Sequence, residues 1–191
     1  MTTRQSQTIA YVDYVNLVKS SGDINYGVLW NYLKNKYENW NNWLSIKIFV
    51  PLSVNTKRED VNQITYLERI GFEVITSTPA MIIDGRAYKD NTDLVMTIAA
   101  MSDLQKKDVT KLVILSGDKD FLPLIEKIIH SGRDVDVIGP QKNTCYEYKK
   151  MRGFVCIEAI DGVFESGSTT RQHYTIGKLP AKLERVYEGQ D

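Results

Sequence analysis

Short apolar runs alternate along the chain with longer stretches whose apolar positions have helical spacing. A continuous apolar run bounded by turn residues is typical of a strand buried on both faces. Apolar residues three and four positions apart are typical of a helix with one buried side. The predicted strands are residues 8–13, 44–52, 72–76, 111–115, 135–138 and 154–160. Strands and helices that alternate in this way predict βαβ units, and therefore an α/β sandwich with a mostly parallel central sheet.

The helical stretches predict which side chains face the sheet. Residues 19–23 are expected to form a loop before the first long helix, and Asp84-Gly85 to turn a small hairpin. Asn55 or Thr56 is expected to cap the second helix and Asn91 the third. The predicted buried stripes of the three helices are Val28, Leu29, Tyr32, Leu33 and Tyr37; Val61, Ile64, Leu67 and Ile70; and Leu94, Val95, Ile98 and Met101.

The chain order predicts where the sheet changes direction. Right-handed crossovers leave few topologies, and the favoured one places the first strand beside the fourth. Asp13 ends the first strand, and Asp118 follows the fourth in the stretch LVILSGDKDF, residues 112–121. Open α/β sheets bind ligands at the carboxyl ends of their strands, where the strand order reverses. The two carboxylates are therefore expected at a ligand site.

The composition divides the chain into a domain and a tail. Residues 1–160 are predicted to form one domain, and residues 161–191 a polar linker with a short tail. Leu179, Leu183 and Val186 have helical spacing after Pro180. This short helix is expected to dock on the body or on another subunit, which leaves a homodimer open.

The charge balance and the rare residue types exclude several classes of function. Lys plus Arg total 24 and Asp plus Glu total 24, so a nucleic-acid partner would need a local patch or a metal. No apolar run is long enough to span a membrane, and the N-terminus does not resemble a signal peptide. Cys145 and Cys156 have no redox or metal-ligand spacing, which favours reduced thiols and a cytoplasmic location. With only His130 and His173 present, a zinc site or a His-based triad is not expected.

Acidic side chains are predicted to gather at the carboxyl edge of the sheet. Asp93 at the start of the third helix joins Asp13, Asp118 and Asp120 there. Clustered carboxylates repel one another and raise one another's pKa, and a divalent cation relieves that repulsion. Oxygen ligands without His or Cys favour Mg²⁺ or Mn²⁺, and such sites commonly support phosphoryl transfer. The four acids are therefore the candidate catalytic and metal-binding residues.

Each acid also has a purely structural interpretation. Asp118 or Asp120 could cap the helix that follows, the dipole of the third helix alone favours Asp93, and Asp13 could belong to an Asx-turn. Asn16 is expected either to orient water or phosphate or to cap its loop, and Ser116 to offer a hydroxyl. The weakest candidates are the lysines predicted to contact phosphate, because scattered lysines are common on any soluble surface: Lys19, Lys89 and Lys119.

Three stretches resemble the NYN domain family of PIN-like nucleases, and its LabA-like branch in particular. They are V-D-Y-V-N-L at 12–17, L-S-G-D-K-D-F-L-P-L at 115–124 and G-R-D-V-D-V-I-G at 132–139. The resemblance implies a PIN-like three-layer α/β/α sandwich with Rossmann-like topology and metal-dependent cleavage of RNA, with single-stranded RNA as the expected partner. It also implies that Asp13, Asp93, Asp118 and Asp120 form the acidic cluster, with Asn16 and Ser116 beside it.

The sequence departs from the family pattern at three places, which keeps other functions open. Asp90 rivals Asp93 as the helix acid, Ala99 replaces a second acid of that helix, and Arg152-Gly153 replaces an Ala-Asp pair. One alternative is a non-catalytic module that binds RNA or protein on the same fold. A phosphatase of the haloacid dehalogenase type is a weaker alternative, because it needs an Asp-x-Asp pair and Val15 stands where the second acid would be.

Overall fold

A computed structural model of the chain describes residues 5–21, 23–52, 58–77, 82–83, 86–87 and 91–164. These residues form a main sheet with helices on both faces and a separate two-stranded hairpin. The strands are β1 (Ser6–Asp13), β2 (Asn42–Pro51), β3 (Glu73–Ser77), β4 (Ile82–Ile83), β5 (Arg86–Ala87), β6 (Val109–Leu115), β7 (Asp134–Gly139) and β8 (Phe154–Cys156). The α-helices are α1 (Tyr14–Ser21), α2 (Tyr26–Tyr37), α3 (Arg58–Ile70), α4 (Thr92–Asp103), α5 (Leu122–His130) and α6 (Tyr146–Lys149).

The main sheet is parallel throughout and has the predicted topology. Its strand order is β3-β2-β1-β6-β7-β8, with β1 hydrogen-bonded to β2 on one side and to β6 on the other. The chain therefore winds outward from β1 in one direction and from β6 in the other, which is the Rossmann-like arrangement. The predicted α/β fold class is confirmed, and the reversal of strand order lies between β1 and β6.

Alternating side chains of the central strands pack into two hydrophobic cores, one on each face of the sheet. Ala10 and Val12 of β1 contact the core beneath α1, α2 and α3, whereas Ile9 and Tyr11 contact the core beneath α4, α5 and α6. Both cores are completely buried at the centre of the sheet. This double burial explains why the central strands are continuous apolar runs rather than alternating ones.

The rotation of α4 differs from the prediction. Leu94 and Ile98, which were expected to be buried, are 59% and 60% exposed, and Met96 and Ala100 face the core instead. Polar contacts fix the rotation: the hydroxyls of Thr92 and Ser77 are hydrogen-bonded at 2.6 Å, and Asp103 accepts a bond from Tyr11 and pairs with Lys47 at 2.7 Å. Because α4 has apolar residues on every side, the apolar pattern did not single out the correct face.

The structure also differs from the predictions in smaller details. Val61 of α3, which was expected to be buried, is about half exposed, while Gln63 is buried in α3. Residues 19–21 belong to α1 rather than to a loop, and Asn91 lies at the start of α4 without a side-chain capping bond. The expected last strand ends at Cys156, where a 3-10 helix (Ile157–Ala159) replaces it. The small hairpin is confirmed as the antiparallel pair β4 and β5.

Several expectations concern residues outside the described ranges. They are the caps Asn55 and Thr56, the candidates Lys89 and Asp90, and the helix of the tail with Leu179, Leu183 and Val186. In the described part of the chain, none of the helices combines the length and the apolar character needed to cross a membrane.

Candidate active site

The site begins where β1 and β6 end side by side. Val12 is paired with Leu115, so the residues that follow, Asp13 and Ser116, are neighbours across the two strands. Asp13 is only 3% exposed. Its Oδ1 accepts a hydrogen bond of 3.0 Å from the backbone N–H of Asn16, in the first turn of α1. Asp13 therefore caps α1 in addition to lying at the site, which is a different structural role from the Asx-turn considered for it.

Two side chains tie the strand ends together. The Ser116 hydroxyl donates to Oδ2 of Asp13 at 2.9 Å and accepts from the backbone N–H of Asp118 at 3.1 Å. Oδ1 of Asn16 accepts from the backbone N–H of Gly117 at 2.8 Å. Both oxygens of Asp13 are thus hydrogen-bonded, and the turn after β6 is fixed relative to β1.

Asp118 and Asp120 lie in the turn that leads into α5. Oδ1 of Asp118 accepts from the backbone N–H of Asp120 at 2.9 Å and caps a 3-10 turn (Lys119–Phe121). Asp118 is partly buried, whereas Lys119 and Asp120 are exposed. Asp118 therefore has a capping role and remains at the edge of the site, and Asp120 lies farther out.

Three acids lie close enough together to interact electrostatically. Burial raises the pKa of Asp13 to about 7, the hydrogen bonds from Asn16 and Ser116 oppose that rise, and the charges of Asp93 and Asp118 add to it. Asp93 occupies the first turn of α4, as predicted. Asp118 and Asp120 also act on Tyr148, whose pKa is raised first by burial and then by nearby groups that include these two acids.

The loop after β7 forms the back of the site. The backbone N–H of Cys145 donates to the Gly117 carbonyl at 3.2 Å, and the Tyr148 hydroxyl donates to the Asp118 carbonyl at 2.7 Å. A Cβ on Gly117 would lie 2.7 Å from the carbonyl oxygen of Asn143, so this close approach requires glycine. Tyr148 was not predicted as a site residue, since nothing in the local pattern separates it from the neighbouring Tyr146.

Two of the three predicted lysines lie within the described residues. Lys119 is exposed between Asp118 and Asp120, and Lys19 is exposed in the last turn of α1. Lys89 and the rival acid Asp90 lie outside the described residues.

The donor atoms fit a hard divalent cation that keeps much of its water. Among the residues that the structure describes, no three acid, His or Cys side chains form a group that could hold a metal ion. Mg²⁺ does not require such a cage, because it is commonly bound by one or two carboxylates together with water and substrate phosphate. One or two of the carboxylates of Asp13, Asp93 and Asp118 could fill that role, and the repulsion of Asp13 by Asp93 and Asp118 favours a bound cation.

Comparison with protein-family models identifies the family of this chain. Residues 7–157 match the model of the NYN domain. The chain belongs to the NYN domain family. This match covers β1 to the end of the main sheet, and it places the protein in the PIN-like nuclease superfamily, whose NYN members are associated with RNA. Asp13, Asp93 and Asp118 all lie within the NYN domain.

Solved structures support the fold of the NYN domain. One similar structure is the crystal structure of VPA0982, a protein of unknown function from Vibrio parahaemolyticus, with a TM-score of 0.66 and 21% sequence identity. The similarity covers 82% of this chain and 96% of that one, and at this identity it concerns the fold alone. No curated protein matches the chain closely enough to add a function.

Proposed function

We propose that this NYN domain hydrolyses phosphodiester bonds of single-stranded RNA in a reaction that depends on Mg²⁺ or Mn²⁺. The observation that carries the proposal is the buried Asp13, whose charge is made costly by burial and by Asp93 and Asp118. A protein rarely gathers acids at a sheet edge without a cation to balance them. The family match supports the choice of a nuclease.

The residues divide into acids and the groups that hold them. Asp13, Asp93 and Asp118 are the proposed catalytic acids, of which one or two would ligate the cation directly while water and substrate phosphate complete its shell, and Asp120 is an outer member of the set. When bound, the cation would polarise the phosphate, help to ionise an attacking water and shield the leaving oxygen. Asn16 and Ser116 act as positioning residues, because their hydrogen bonds fix the Asp13 carboxylate and the turn after β6.

The exposed lysines have a simpler role in the proposal. Lys119 projects from the turn between Asp118 and Asp120 and is suited to contact a phosphate of the bound strand. Lys19 and Lys89 are proposed as weaker contacts of the same kind. The S-G-D-x-D-F-x-P-L stretch also leads us to assign the chain to the LabA-like branch.

A cleavage assay with matched variants tests the assignment of the acids. The full chain is incubated with labelled single-stranded RNA and Mn²⁺, alongside Asp118→Asn and Asp134→Asn. Asp134 is exposed at the start of β7, at the opposite edge of the sheet, so its variant controls for the loss of one charge. Removing a hydrogen-bond partner of a metal ligand typically costs up to about 100-fold in activity. Because Asp118 is itself a candidate ligand, we expect Asp118→Asn to cleave RNA at least about 100-fold more slowly than the parent. Equal rates for Asp118→Asn and the parent would show that the acids are assigned wrongly.

A non-catalytic RNA-binding module is the second candidate. Ala99 favours it, because the family pattern has a second acid there, and Ala99 contacts the core instead. This module would bind the RNA without shortening it in Mn²⁺, whereas the nuclease would shorten it.

A further inference from the structure

Positive charge is concentrated in the segment that follows β7. Residues 140–153, called here the basic segment, contain four cationic side chains and a single acid, Glu147. All four cations are exposed: Lys142, Lys149, Lys150 and Arg152. Glu158, whose carboxylate accepts from the backbone N–H of Gln141 and interacts with Lys149, offsets part of this charge. In a chain whose net charge is zero, the remaining excess is a local patch of the kind that a polyanion requires.

The basic segment is attached directly to the acid site. Hydrogen bonds join Cys145 to the Gly117 carbonyl and Tyr148 to the Asp118 carbonyl. Tyr146 lies between these two anchors in α6, so its backbone is within a few residues of the turn that carries Asp118. A strand of several nucleotides that binds Tyr146 can therefore extend to the carboxylates.

Tyr146 and Lys150 present an aromatic ring and a cation at the same place. Tyr148 is completely buried, and Tyr146, two positions earlier on the helix, is 66% exposed. The ammonium of Lys150 lies 3.9 Å from the centroid of the Tyr146 ring. Single-strand-binding proteins combine these two elements, because bases stack on aromatic rings while cations follow the phosphates.

We propose that Tyr146 and Lys150 form a subsite for single-stranded RNA, in which a base stacks on the ring face that the Lys150 ammonium leaves open and the adjacent phosphate contacts that ammonium. This inference rests on the proposed nuclease function, and it names the residues that hold the strand beside the acids. The charge pattern favours a nucleic acid over a second copy of this chain, because two copies of the basic segment would place like charges together. An acidic peptide would use the cations but would leave the ring without a role.

Binding is measured in a background that does not cleave. The Asp118→Asn protein, in EDTA, is titrated into a fluorescein-labelled oligouridylate and followed by fluorescence anisotropy. We expect Tyr146→Leu to raise the Kd about 5- to 100-fold, the usual effect of losing one stacked base, and Tyr146→Phe to restore most of the affinity. Lys150→Gln should reduce the slope of log Kd against log salt by about 0.7, the value for one phosphate contact to a single strand.

Two control variants remove the same chemistry elsewhere. Trp40→Leu deletes an aromatic ring that is 85% exposed at the amino edge of the sheet, and Lys127→Gln deletes an exposed cation in the last turn of α5. The Kd of both variants for the oligouridylate should stay within about twofold of that of the Asp118→Asn background, which is well below the effect of losing one stacked base.

The possible outcomes separate this subsite from the cleavage reaction. Binding that depends on Tyr146 supports the subsite even if the parent fails to cleave RNA in Mn²⁺, in which case only the nuclease proposal fails. Unchanged binding by Tyr146→Leu, or an equal loss with Trp40→Leu, overturns the subsite even if cleavage is confirmed. The parent's failure to bind the oligouridylate overturns it too.

Discussion

Asp13 combines two requirements that oppose each other. Its position at the end of β1 buries it, which favours the protonated form, while donors from Asn16 and Ser116 favour the carboxylate. The balance leaves its pKa near 7, well above the usual value for an aspartate. A buried acid of this kind is costly for stability unless a cation is present, and such residues are enriched at functional sites.

The pH dependence of stability should report this residue directly. In EDTA, the folded protein holds the Asp13 proton up to about pH 7, whereas the unfolded chain releases it near 3.8. The free energy of unfolding should therefore fall as the pH rises from about 4 to about 7, by roughly 1.4 kcal/mol per pH unit from this group. Urea titrations at pH 5 and pH 7.5 measure the change.

The variant Asp13→Asn isolates the contribution of this one group. It keeps the shape of the side chain and removes the titration, so its stability should fall less over the same pH interval. If the parent and Asp13→Asn lose equal stability between pH 5 and pH 7.5, the raised pKa of Asp13 is not real.

Ser116 should matter for activity through the groups that it holds. Its hydroxyl bonds both Asp13 and the backbone of Asp118, so Ser116→Ala should slow cleavage of RNA about 10- to 100-fold, as outer partners of metal ligands usually do. Ser102→Ala, at an exposed position of α4, is the matched control and should cleave at the parental rate. A parental rate for Ser116→Ala would mean that the position of Asp13 does not depend on this bond.

The sequence predicted that Asp13 and Asp118 lie at strand ends, but it did not predict the contacts that hold them. Asp13 and Asp118 follow apolar runs, and a pattern of this kind marks a strand end. The contacts of Asn16 with Gly117 and of Tyr148 with Asp118 join residues about 30 or more positions apart, and no local signal encodes them. Asp120 looks equivalent to Asp118 in the sequence, and only the turn geometry shows that it is more exposed.

At the scale of elements, strands were more predictable than helix faces. A strand buried on both sides needs only an apolar run, which β1 and β6 provide. The face of a helix depends on what it meets, and α4 is apolar all round, so its rotation follows the buried polar contacts of Thr92 and Asp103. That rotation also sets where Asp93 lies relative to β1.

The contact between the turn after β6 and the loop after β7 can be tested with a single methyl group. Gly117→Ala would place a Cβ 2.7 Å from the carbonyl oxygen of Asn143 and 2.8 Å from Oγ1 of Thr144. We expect a loss of about 1–3 kcal/mol in the free energy of unfolding, as for other overpacked sites, together with slower cleavage of RNA.

Gly27→Ala is the matched control for this substitution. Gly27 lies in α2, where the nearest atom to a new Cβ is 3.4 Å away, an ordinary contact. Its stability should be unchanged or higher by up to about 1 kcal/mol, because alanine is the better helix former. Chemical denaturation measures both variants, and equal effects would show that the Gly117 contact is not tight.

At the scale of the molecule, the fold places the acids of three elements at one edge. Asp13 ends β1, Asp118 lies in the turn after β6, and Asp93 lies in the first turn of α4. The amino edge of the sheet carries other features, including the groove of about 210 Å³ beside Trp30 and Trp43. The proposed chemistry therefore occupies one end of the domain.

Divalent cations should stabilise the protein by binding the folded form. At 100 times its Kd, Mn²⁺ or Mg²⁺ adds about 2.7 kcal/mol, which corresponds to a rise of roughly 5–10 °C in Tm for a chain of this size. Asp93→Asn should raise the metal-free Tm, since it removes repulsion from Asp13, and should reduce the response to the metal. Differential scanning fluorimetry with Asp134→Asn as control checks both effects. If the Tm of the parent does not change when the cation is added, the result favours the non-catalytic module.

The most direct test of the metal-dependent nuclease is the fate of a labelled single-stranded RNA incubated with the full chain. Denaturing gels compare Mn²⁺ with EDTA at matched ionic strength, for the parent and for Asp13→Asn. The account predicts shortened RNA only with the parent and Mn²⁺, and intact RNA with EDTA or with Asp13→Asn. Intact RNA in every lane, or equal cleavage by Asp13→Asn, would contradict it.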